Sequence, residues 1–118
     1  MKEMFYVCKS LTSLDLTNFD TSLVTDMNNM LGYCSNLTYL NIKHFRTSNV
    51  RNMNRMFYLC SKLTSLDLSD FETQNVEGME RMFYGMEKIT SLELSHFYTY
   101  YVEDMSGMFF NCKKYKKS

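Results

Sequence analysis

The residues of this chain that could do chemistry fall in columns. Asp15, Asn41, Asp67 and Glu93 recur at a step of 26 residues. Ser13, Tyr39, Ser65 and Ser91 stand two places before them, and Thr17, Lys43, Ser69 and Ser95 two places after. Paired carboxylates can cleave glycosides, but a catalytic pair breaks the symmetry of its surroundings, and these acids simply repeat. The sequence also has no Gly-rich phosphate loop, no helix-borne zinc pair and no nucleophile elbow. The pattern therefore points to a non-catalytic protein. A second column, Asn18, His44, Asp70 and His96, suggests a His-Asp-His metal site. Distance argues against it: histidines two steps apart in a stack of strands stand about 10 Å from one another, too far to share an ion. Those residue types suit a turn that bonds its own backbone, so neither metal nor cofactor is expected.

Four cysteines fill the next column, at Cys8, Cys34, Cys60 and Cys112, with Met86 in the remaining place. A position that takes Met in place of Cys selects a soft apolar filler, so buried, reduced thiols are expected. Thr21, Thr47, Thr73 and Thr99 repeat without change, as do Thr12, Thr38, Thr64 and Thr90. Hydroxyls that satisfy corner backbone groups account for both sets.

What positions these columns is the repeat itself. LTSLDLTNF (11–19), LTYLNIKHF (37–45), LTSLDLSDF (63–71) and ITSLELSHF (89–97) are the same segment four times. A fixed period of this length marks a stacked array whose units are not stable alone. Apolar and polar residues alternate in Leu14-Asp15-Leu16-Thr17, as in a half-buried strand. Val50, Met53, Met56, Phe57, Cys60 and Leu63 are spaced like the buried stripe of a short helix, with Ser48 or Asn49 as its N-cap. The fold expected is α/β: a solenoid with one parallel β-strand and one short helix per 26-residue repeat, four full repeats and a partial fifth. Phe45 should then lie beside Phe71.

One domain over 1–118 fits this length. The chain opens at Met4-Phe5 as if inside a repeat, without the polar cap such arrays usually carry; this suggests a fragment of a longer array, and a bare end open to end-to-end self-association. Lys113 to Lys117 form a short basic tail that would stay solvated. Thirteen basic and thirteen acidic residues leave no net charge, so nucleic acid is not an expected partner. No apolar run is long enough to span a bilayer. Tyr98, Tyr100 and Tyr101 form an aromatic cluster that the repetition does not explain.

The unit MF-x2-C-x2-LTSLDLS-x-F-x-T-x2-V-x2-M, read at Met56-Phe57, Cys60, Leu63 to Leu68, Phe71, Thr73, Val76 and Met79, resembles the 26-residue repeat of bacterial surface proteins. Those are the BspA-like leucine-rich-repeat proteins, and the likeness runs from Met4 to Cys112. It implies a leucine-rich-repeat-like solenoid on the cell surface or outside the cell, used for adhesion and protein binding. The chain has no signal peptide, lipobox or anchor of its own, which leaves the cytoplasm open. On this reading Ser13, Asp15, Tyr39, Asn41, Lys43, Ser65, Asp67, Ser69, Ser91 and Glu93 form a polar, concave sheet face that meets a protein or other macromolecule. Asp67 beside Glu93 costs repulsion that solubility alone does not require, and Tyr39 is the natural anchor. The alternative is a structural spacer or orphan repeat without a ligand of its own.

Overall fold

Every second peptide N–H between 29 and 33 leaves its own unit and bonds to the next one. Asn29 N donates to Asn54 O (3.0 Å), Leu31 N to Met56 O (3.0 Å) and Tyr33 N to Tyr58 O (2.7 Å). The N–H groups between them turn back locally: Met30 N donates to Met27 O, Gly32 N to Asn29 O and Cys34 N to Leu31 O. The next unit repeats the scheme, with Arg55 N to Glu80 O, Phe57 N to Met82 O and Leu59 N to Tyr84 O. The computed structural model, which describes residues 1–115, is thus a pile of rungs built from turns and tied together across 25 or 26 positions. Lys116 and Lys117 of the basic tail lie outside the described residues.

This overturns the expected α/β solenoid. Among the described residues there is no helix, and only two strands form: β1 (Ser13–Asp15) and β2 (Tyr39–Asn41). They pair in parallel, Leu14 opposite Leu40. Ser48 and Asn49 cap nothing; Asn49 Nδ2 instead donates to Ser22 O (2.7 Å).

The cause lies in two backbone columns. Glu3, Asn29, Arg55, Arg81 and Gly107 all have positive φ, as do Val7, Tyr33, Leu59, Gly85 and Asn111. A left-handed residue every four positions is incompatible with a right-handed helix, whose N–H groups must all reach the carbonyl four back. The apolar spacing of three is real, but it is the spacing of successive i→i+3 turns. It buries the same side chains a helix would have buried: Val50, Met53, Met56, Phe57, Cys60 and Leu63 are all at 0% exposure.

Like residues meet between rungs. The Phe45 and Phe71 rings stack at 6.5 Å, Phe57 and Phe83 at 5.8 Å, and Phe83 and Phe109 at 5.7 Å. Buried threonines tie the corners. The Thr47 hydroxyl donates to Glu72 O (2.9 Å) and accepts from Glu72 N (2.7 Å). Thr21 does the same with Arg46, and Thr73 with Tyr98. One buried hydroxyl thus satisfies both backbone groups of a residue in the next rung.

Candidate functional site

Burial of Leu16, Leu66, Leu68 and Leu92 turns the intervening residues outward. Ser13, Asp15, Tyr39, Lys43, Ser65, Asp67, Ser69, Ser91 and Glu93 are exposed, and Asn41 is half-buried. The pairing of β1 with β2 sets Ser13 beside Tyr39 and Asp15 beside Asn41. Tyr39 is 51% exposed, the one large apolar side chain on this surface.

The acids of the face already have work. Asp15 Oδ1 accepts from Thr17 N (3.0 Å) and from the Thr17 hydroxyl (2.7 Å). Asn41 Oδ1 accepts from Lys43 N (3.1 Å), Asp67 Oδ1 from Ser69 N (2.9 Å) and Glu93 Oε1 from Ser95 N (2.8 Å). This column makes the turn that ends each Leu-x-Leu segment, which explains why Asn serves as well as Asp. The bonds to Thr17 hold the Asp15 carboxyl below its usual range. Bonds to Ser69 do so for Asp67, where the Lys43 charge adds to the effect, and bonds to Ser95 for Glu93. Each is an ionised, solvated carboxylate at neutral pH.

The histidine column does not gather. His44 Nδ1 lies 3.6 Å from Asp70 Oδ2, and its backbone N donates to the same oxygen (3.1 Å). The His96 ring turns away to Leu68 O, 2.9 Å from its Nε2. Among the described residues no three His, Cys, Asp or Glu side chains converge on one point. The thiols are free, and Cys34, Cys60 and Cys112 donate to the carbonyls of Phe5, Leu31 and Phe83. Burial pushes the Cys34 thiol up to about 11 and raises Cys60 and Cys112 as well, so these sulfurs are poor nucleophiles.

The stack also carries an aromatic column that the sequence reading missed. Tyr6, Tyr33, Tyr58, Tyr84 and Phe110 follow one another at 5.6, 5.2, 4.8 and 5.1 Å. Arg55 and Arg81 lie over Tyr58 and Tyr84 and share Glu80. The signal was present: Tyr6, Tyr58, Tyr84 and Phe110 each follow the core ring. Gly32 breaks the run in the second copy, and Tyr33 fills the gap from the adjacent place.

Isolated parallel bridges run from Asp26 to Asn52, Gly78 and Asp104. On the Leu-x-Leu side the strand ladder stops after β2. No helix among the described residues is long and apolar enough to cross a membrane.

A protein-family model described as "Mycoplasma protein of unknown function, DUF285" matches residues 1–118. No curated protein and no solved structure matches the chain.

Proposed function

The chain belongs to the DUF285 family of Mycoplasma proteins of unknown function, and from that premise we propose that it is a non-catalytic interaction module that meets another macromolecule through its polar Leu-x-Leu face. The observation that supports this is Tyr39: an amphipathic ring left 51% exposed at the centre of a polar surface, where every neighbour from rung to rung is small or charged. The motif quoted above resembles the BspA-like surface repeats, and that likeness supports adhesion and protein binding at or outside the cell surface. The acids read as turn formers rather than as an acid–base pair, because one oxygen of each accepts from its own turn. The test is retention of the purified chain on immobilised extracellular proteins and on cultured animal cells. Y39S combined with D67N and E93Q keeps the turn acceptors while it removes the ring and two charges. Lost retention with an unchanged melting temperature supports the reading; unchanged retention removes this face from the account.

A spacer is the second reading, and one observation favours it. The conspicuous column of the face, Asp15, Asn41, Asp67 and Glu93, already has a structural task in each rung. A module that retains on nothing while it holds its neighbours in register would be such a spacer.

A further inference from the structure

The corner that follows each Leu-x-Leu segment alternates in charge from rung to rung. Asp20, Arg46 and Glu72 stand in one column, all exposed, and Tyr98 takes the fourth place, 52% exposed. The backbone beneath is fixed, because the buried hydroxyls of Thr21, Thr47 and Thr73 hold both peptide groups of Arg46, Glu72 and Tyr98. Among the described residues none of the three charged side chains forms an ion pair. A few places further on, the corner is apolar at its two ends. Leu23, 87% exposed, stands in the first rung, and Tyr100 and Tyr101, 76% and 56% exposed, stand in the fourth. Ser48-Asn49 and Gln74-Asn75 lie between them. These columns share one surface. Asp20, Ser22 and Arg46 line one cleft, and Arg46 and Glu72 line the next. The Tyr98 and Tyr100 rings meet at 6.3 Å, and Tyr100 and Tyr101 at 4.9 Å.

The order of charges makes this surface complementary to itself turned over. Two copies of one surface meet about a two-fold axis in the plane between them. An axis that runs along the column sets Asp20 against Asp20, Arg46 against Arg46 and Glu72 against Glu72, which is repulsive throughout. An axis that runs along the rungs keeps each column against itself and reverses the order of the rungs. Placed between the second and third rungs, it sets Arg46 against the partner's Glu72 and Glu72 against the partner's Arg46. Asp20 then faces the partner's Tyr98, whose hydroxyl can donate to the carboxylate. The same operation brings Leu23 to the partner's Tyr101, and no charge of these columns meets its like. Moved one rung toward the N-terminus, the axis still pairs Asp20 with Arg46, but it leaves Leu23 against Asn49 and the three tyrosines against nothing.

We propose that this corner joins two copies of the chain side by side with their stacks antiparallel, the Arg46–Glu72 pairs at the centre and the Leu23–Tyr101 contacts at the rim. The contact uses neither the ends of the stack nor Tyr39, so it does not depend on the reading of the polar face. The test is sedimentation equilibrium of the full chain over a concentration series. A reversible monomer–dimer equilibrium is expected, weakened by salt because its central pairs carry charge at the surface. R46E and E72R should each weaken it by about tenfold or more, since each sets like charges face to face. Mixing the two variants should restore the dimer, because the acidic surface of one then meets the basic surface of the other. Y100S/Y101S should also weaken it, and Y39S should leave it unchanged. Should either charge variant lose its native amide spectrum, L23S and Y101S must each still weaken the dimer. A chain that stays monomeric at about 1 mM would overturn the proposal. So would a dimer that R46E leaves intact, or charge variants that remain apart when mixed.

Discussion

A single hydroxyl at Thr47 does the work of two hydrogen-bond partners, and removing it tests how the corners hold. Thr47→Val preserves shape but leaves both Glu72 backbone groups unpaired beside a side chain at 0% exposure. The expected loss is about 2 kcal/mol, with Thr47→Ser near the wild type, read from urea unfolding. The carboxylate turns make a separate prediction. Asp15, Asp67, Glu93 and Asp104 have folded pKa values below their ordinary ones, because of hydrogen bonds to Thr17, Ser69, Ser95 and Ser106. Such groups bind fewer protons folded than unfolded, so the stability they add is complete above about pH 5 and lost as pH falls through the folded values. Asp67→Asn keeps the acceptor and removes the titration. The melting temperature of D67N should therefore fall less than that of the wild type between pH 5 and pH 3. Asn41 occupies the same place and already shows the exchange to be tolerated. Thiols give a third readout: Cys34 and Cys60, both at 0% exposure, should react with a disulfide reagent only upon unfolding.

At the scale of the rung, the close fit of side chains depends on where glycine stands. A methyl group at Gly78 would lie 2.6 Å from Asn54 Oδ1, the oxygen that accepts from Glu80 N. Gly78→Ala should cost about 1–2 kcal/mol in thermal unfolding, and Asn54→Ala about as much by a different route, the loss of that acceptor. The two losses should not add in the double variant, because they act on one contact. The columns and the core of the middle rungs could be read in the sequence, since strict repetition exposes them; at the end rungs the same positions, Met4, Phe19, Met105 and Phe109, are exposed because no further rung covers them. The element type could not be read from the apolar stripe. Spacings of three, three, one, three and three bury one face in a helix and in a run of turns alike. The discriminating signal was weak but present: the columns at 29/55/81/107 and 33/59/85/111 contain Asn29, Gly85, Gly107 and Asn111, the residues that tolerate left-handed backbone. Arg55 and Leu59 hid it, because the stack holds them in a conformation they do not favour alone. The turn role of the acids was not legible either: Asp67 and Glu93 each accept from the backbone two residues on, a bond that the column of repeated acids does not announce.

Across the whole molecule, stability comes from contacts between neighbouring rungs, since alternate N–H groups along the turns bond to the next rung and the buried rings stack between rungs. The central claim is that turns linked from rung to rung replace the helix the apolar spacing suggests. Through-hydrogen-bond scalar couplings between amide nitrogens and carbonyl carbons test it most directly. Couplings from Leu31 N to Met56 carbonyl and from Phe57 N to Met82 carbonyl are predicted; couplings from Leu31 to Met27 and from Phe57 to Met53, the i→i−4 pattern of a helix, would contradict it.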